Sequence, residues 1–80
     1  MNDCERDSLR RVILKLISEG HDHWTVIEKR SCASGFDFAT SNTVKRQFYN
    51  YLLAFDYVER VRRGRYSLTD KGRGLLTLLS

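Results

Sequence analysis

Tyr57-Val58-Glu59-Arg60-Val61-Arg62-Arg63-Gly64-Arg65-Tyr66-Ser67-Leu68-Thr69-Asp70-Lys71-Gly72 reads as two strands, a tight turn and the start of a helix. Tyr57 to Val61 and Arg65 to Leu68 are rich in aromatic and β-branched residues, which suit a pleated, half-buried surface. Arg63-Gly64 lies between them, and glycine tolerates the positive φ that a two-residue hairpin turn demands. The periodicity changes at Thr69. Its hydroxyl can accept a free N–H of a following helix, and Asp70 then sits in the first turn, at the positive end of the helix dipole. Leu75, Leu76 and Leu79 give that last helix an apolar side with which to close a core.

Upstream of the hairpin the apolar residues fall at helical rather than strand spacing. A third helix opens at Thr40 or Ser41 and runs to about Phe55, with Val44, Phe48, Tyr51, Leu52 and Phe55 as its apolar stripe. Ser41, Asn42, Lys45, Arg46, Tyr49 and Asn50 cover its other side. Before it, Thr25 and Glu28 have capping-box spacing. They open a short second helix that ends near Cys32 or Ser34, where Gly35 and Asp37 break the pattern. The first helix carries Leu9, Val12, Ile13, Leu16 and Ile17, an i, i+3, i+4, i+7, i+8 stripe. Asn2 or Asp3 caps its start, Gly20 stops it, and Arg10, Arg11, Lys15 and Glu19 fall on the polar side.

Eighty residues with nine aromatics allow one domain, residues 1–80, and one modest core, without room for a deep substrate pocket. The net charge of +4 is unevenly placed: residues 1–40 balance at −1 and residues 41–80 at +5. A one-sided basic surface is the footprint of a polyanion binder, although charge alone equally describes a solvated face. No signal sequence and no apolar run of membrane-spanning length is evident, so the expectation is a cytoplasmic protein with reduced cysteines and no membrane partner.

The order helix, short helix, longer helix, Arg-rich hairpin, helix resembles the winged helix-turn-helix family, especially small archaeal, plasmid or viral transcriptional regulators. Three segments carry the likeness: Thr43-Val44-Lys45-Arg46, the run Leu52…Phe55-Asp56-Tyr57-Val58-Glu59-Arg60, and above all Tyr66-Ser67-Leu68-Thr69-Asp70-Lys71-Gly72. In that family a tyrosine ends the second wing strand, and Leu-Thr-x-Lys-Gly leads into the closing helix. The chain departs from the pattern at Asp56, where many members have glycine, and in the long stretch Ala33–Ala39. The resemblance implies an α+β fold with three helices, a two-stranded wing hairpin and a closing C-terminal helix. It further implies binding to double-stranded DNA, commonly as a homodimer. The chain's own spacing leaves Leu53 and Leu78 off their helix stripes, exposed in a monomer and spare for such an interface.

Such a third helix enters the major groove, which assigns DNA contacts to Ser41, Asn42, Thr43, Lys45, Arg46 and Tyr49. Arginine pairs bidentately with guanine and asparagine with adenine, so Arg46 and Asn42 are the candidate base readers. On the wing, Arg60, Arg62, Arg63 and Arg65 suit a phosphate backbone or a narrow minor groove. Strand alternation puts Arg60 and Arg62 on one face, with Arg63 and Arg65 outward around the turn. The bland alternative is that these arginines keep an edge strand soluble.

Other chemistry finds little footing. His21, His23, Cys4 and Cys32 lack the close cysteine pair of zinc modules, and Gly72-Arg73-Gly74 opens a helix without the preceding strand of a phosphate loop. No catalytic residue, metal or cofactor is expected. The rival functions are a winged-helix protein-interaction module of a larger assembly, and a plasmid replication or segregation factor that also binds DNA.

Overall fold

Asn2 Oδ1 accepts the Glu5 N–H at 2.8 Å while the Glu5 carboxylate takes the Asn2 N–H at 3.1 Å, a reciprocal capping box that starts helix α1 (Asp3–Ser18). The structure is a computed structural model that describes residues 2–80. It is α+β, with four α-helices and a two-stranded antiparallel hairpin. Helix α1 ends at Gly20, φ 97°, where His21 N donates to Leu16 O and Gly20 N to Ile17 O, so the last carbonyls are satisfied. Its buried residues are Leu9, Ile13, Leu14 and Ile17. The stripe read from the sequence is therefore rotated: Leu14 enters the core, while Val12 and Leu16 are only half-buried.

Helix α2 (Trp24–Cys32) does not begin with the expected Thr25–Glu28 box. His23 is its cap, Nδ1 accepting the Thr25 N–H at 3.4 Å, and Thr25 already lies inside the helix. The shift arises because the connection before α2 is held from outside. Tyr66 N donates to Asp22 O and Trp24 N to Gly64 O, so residues 22–24 pair with the hairpin like a minimal third strand. This long-range pairing fixes the helix cap two residues early, at His23 instead of Thr25.

Thr40 caps α3 (Ser41–Gln47), its hydroxyl accepting the Thr43 N–H at 3.3 Å. The expected single helix to residue 55 is two segments, because Phe48–Leu53 is a π-helix that continues α3. The wider turn accompanies a crowded aromatic core. Phe48, fully buried, meets Trp24 at 4.8 Å, Tyr49 at 5.1 Å and Tyr66 at 4.7 Å between ring centroids. Val44 and Leu52 are buried as expected, but Phe55 is 53% exposed. Leu53, expected at the surface, instead packs half-buried against the core.

The π segment closes on Asp56, a non-glycine residue at φ 63°. Tyr57 N donates to Leu52 O and Asp56 N to Leu53 O, the same two-bond stop seen at Gly20. Strand β1 (Val58–Arg62) then pairs with β2 (Arg65–Leu68), one residue later than the expected start at Tyr57. Gly64 at the turn has φ 75°.

Helix α4 (Asp70–Leu79) starts from Thr69, whose hydroxyl accepts the Gly72 N–H at 3.0 Å and donates to Asp56 O at 2.5 Å. Lys71 Nζ donates to Phe55 O at 2.8 Å, and Thr69 N to Tyr57 O at 3.2 Å. The run Thr69–Gly72 thus satisfies the carbonyls that the third helix leaves free. Gly72 is buried against Tyr57: a Cβ there would stand 1.9 Å from the Tyr57 carbonyl oxygen. Leu75, Leu76 and Leu79 pack against the core, half-buried, whereas Leu78 is 82% exposed. Among the described residues no helix is long and apolar enough to cross a membrane.

Candidate nucleic-acid interface

The first turn of α3 presents Ser41 and Asn42 to solvent, while Thr43 is half-buried with its hydroxyl 2.9 Å from that of Thr40. Lys45 and Arg46 follow, both exposed and neither in an ion pair among the described residues. Arg46 also borders an open cleft of about 430 Å³ shared with Glu5, Phe38, Thr40, Thr43 and Gln47. Gln47 is held from α1, Arg10 Nε donating to its Oε1 at 2.8 Å. The Arg10 guanidinium lies 3.3 Å from the centre of the Tyr51 ring, in cation–π contact. Arg10 is accordingly a bracket on the junction between α3 and the π segment, not part of the free polar side of α1.

Tyr49 departs from the sequence reading. It was expected on the exposed face with Lys45 and Arg46, but it is half-buried, its ring 5.1 Å from that of Trp24. Its hydroxyl lies 3.5 Å from that of Tyr66, on β2. Burial first, and then the bond to Tyr66, pushes the Tyr49 phenol up to about 12; the Arg60 charge opposes this and the Glu28 charge adds to it. The π turn is the local reason that the sequence could not show: constant 3.6-residue spacing overlooks the wider turn that begins at Phe48.

All four hairpin arginines are exposed. Their arrangement differs from simple alternation because the register slips between Arg60 and Arg62. Arg60 pairs with Tyr66 and Arg62 with Arg65. Cross-strand partners share a face, and adjacent residues of β2 point oppositely, so Arg60 and Arg62 lie on opposite faces. The extra residue is Val61, which leaves the strand 53% exposed. Arg60 therefore shares the Tyr66 face, towards the third helix, while Arg62 and Arg65 look away from it. Arg65 Nη1 is 3.8 Å from Asp22 Oδ1, whereas Arg60, Arg62 and Arg63 make no ion pair among the described residues.

The structure thus joins Tyr49 to Tyr66 across the seam between third helix and hairpin, with Arg60 on the ribbon face that carries Tyr66, while Ser41 to Arg46 belong to α3. It adds residues that sequence reasoning missed: Asp22 and His23 anchor the hairpin, and Arg10 brackets the third helix. No local pattern marks them, since Arg10 acts on Gln47, 37 residues away, and Asp22 and His23 act through backbone pairing with the distant hairpin. Five cations without carboxylate partners, Lys45, Arg46, Arg60, Arg62 and Arg63, can hold a polyanion by charge and by directed N–H donors. Cys4 and Cys32 are exposed and separate, and no group of three or more His, Cys, Asp or Glu among the described residues is placed to hold a metal. No protein-family model, curated protein or solved structure matches this chain.

Proposed function

We propose that the chain is a winged helix-turn-helix protein that binds double-stranded DNA in a sequence-specific manner, as a transcriptional regulator. The third helix lies in the major groove, with Arg46 and Asn42 at base edges and Ser41, Thr43 and Lys45 beside them. The hairpin is the wing, and its arginines follow the phosphate backbone or enter the minor groove. One observation carries the reading: five exposed cations without carboxylate partners among the described residues stand two on α3 and three on the hairpin, and the π segment that continues α3 packs against β1. A hairpin arginine needed only to keep the strand soluble has no reason to recur on both faces of the ribbon. The protein acts as a homodimer, with Leu78 in the apolar contact.

Binding of a fluorescent mixed-sequence duplex across a salt series tests this. Each neutralised phosphate contributes roughly −0.9 to the slope of log affinity against log salt, so five contacts set a slope of about −4 to −5. A flat salt response, or no binding at low salt, would refute the proposal and favour the protein-interaction alternative. Two arginine variants then separate the elements. Arg46→Ala should lose about 1–3 kcal/mol on a duplex selected by the wild type and much less on a scrambled one. Arg63→Ala should weaken both duplexes alike and lower the slope by about one. Equal losses on both duplexes for Arg46→Ala would make α3 a clamp instead of a reader.

A further inference from the structure

Between the third helix and the hairpin, the hydroxyls of Tyr49 and Tyr66 meet where the packing is otherwise aromatic, and Arg60 stands on the same face of the ribbon as Tyr66. Tyr66 is 4% exposed, and the Tyr49 hydroxyl is its hydroxyl's hydrogen-bond partner in the structure. Tyr49 is half-buried with its ring fixed against Trp24 and Phe48. Arg60, exposed, is the cross-strand partner of Tyr66, and its charge is felt by the Tyr49 phenol more strongly than that of Glu28 on α2.

We infer that Tyr49 and Arg60 form a binding site for one backbone phosphate of the duplex, with Tyr66 as the residue that positions the Tyr49 hydroxyl. The inference rests on the DNA-binding reading and specifies what the seam between helix and wing does within it. A hydroxyl pair shares one proton between its two oxygens and keeps the other free to donate. Either hydroxyl can donate: the bond that raises the Tyr49 phenol has Tyr49 donating to Tyr66. An arriving phosphate oxygen lets both hydroxyls turn, so that Tyr66 donates to Tyr49 and Tyr49 donates outward. At 3.5 Å the pair is at the long limit of hydrogen-bond geometry, which leaves the Tyr49 hydroxyl free to turn towards an arriving oxygen. Burial and the bond to Tyr66 keep the phenol protonated far above neutral pH, so it is a donor under any ordinary condition. Arg60 supplies the charge, and a phosphate oxygen can accept from both. Glu28 opposes the site from the α2 side, but its carboxylate is the weaker influence on the phenol.

The bond between a neutral hydroxyl and a phosphate releases no counterion, whereas the guanidinium displaces one. That difference makes the two contributions separable on the mixed-sequence duplex. Tyr49→Phe keeps the ring packing and should weaken binding about three- to tenfold with an unchanged salt slope. Arg60→Ala should weaken binding and lower the slope by about one. Tyr66→Phe should weaken binding less than Tyr49→Phe, and should add nothing in the Tyr49→Phe background, because its effect passes through the missing hydroxyl. Wild-type affinity for Tyr49→Phe, or additive losses in the double variant, would overturn the site while leaving DNA binding intact. A wild type that fails to bind duplex at low salt would overturn the DNA reading and this site with it.

Discussion

Gly72→Ala tests the contact on which the docking of α4 depends. Alanine in the interior of a helix is ordinarily worth about 1 kcal/mol over glycine. Here the new methyl would stand 1.9 Å from the Tyr57 carbonyl oxygen, which is backbone and already accepts the Thr69 N–H. To reach van der Waals distance, α4 must retreat by more than about 1 Å, and overpacking of this kind costs typically 1–3 kcal/mol. The retreat also stretches the Thr69–Asp56 and Lys71–Phe55 bonds, each worth about 0.5–1.5 kcal/mol. Set against the propensity gain, the net loss is about 2–3 kcal/mol, or a fall in Tm on the order of 10–20 °C for a domain of this size. Gly74, two residues on in the same helix, has nothing within 4 Å of its added Cβ. Gly74→Ala should therefore stabilise by about 0.5–1 kcal/mol. Urea denaturation followed by far-UV circular dichroism measures both. A Gly72→Ala protein as stable as wild type, or equal shifts in the two variants, would refute the argument that Tyr57 excludes a side chain at residue 72.

Asp56 holds φ 63° without being glycine, so Asp56→Gly should stabilise by roughly 0.5–1 kcal/mol in the same denaturation assay. Tyr49, pushed up to about 12, keeps its proton in the folded state where the unfolded chain has lost it near 10. Its contribution is complete below pH 10 and disappears as pH rises towards 12, so stability should fall across that window. Alkaline titration at 295 nm should show a high-pH phenol that Tyr49→Phe removes. Leu78→Glu places charge on the 82% exposed leucine of α4 and should shift a homodimer to monomer in sedimentation, with the fold unchanged; a monomeric wild type rejects the interface.

Features written in neighbouring residues were legible. The Arg63-Gly64 turn, the Thr69 cap, the Gly20 stop and the amphipathic character of α1 all follow from side chains within a few positions of one another. Asp56 stood out in the sequence only as a departure from glycine; its left-handed backbone, φ 63°, is seen in the structure. What escaped depends on distant partners. The α2 start moved to Trp24 because residues 22–24 pair with β2, and α1 turned Leu14 inward to meet elements outside its own sequence. Of the site, Lys45, Arg46 and the hairpin arginines were read as exposed and are exposed. Tyr49 and the Arg60/Arg62 arrangement were misread for one shared reason. A π turn and a register slip each displace the residues beyond them, and neither leaves a mark in hydrophobic spacing.

The same departures explain how the two cationic elements keep a fixed relation. The hairpin is tied at its open end by Thr69 and at its turn by the bonds from residues 22–24, so its position follows from α1 and α2 rather than from the strand pair alone. A two-stranded ribbon is marginal by itself, and these ties supply what a third strand would. The third helix is held at its middle by Arg10 and at its end by Lys71. Neither anchor needs to touch a ligand. Loss of an anchor misplaces cations without removing them, so it should reduce affinity while the salt slope is preserved; loss of a cation reduces both. On that criterion Arg10 and Asp22, although charged or adjacent to charge, belong with the scaffold, and Arg60, Arg62 and Arg63 with the surface it presents.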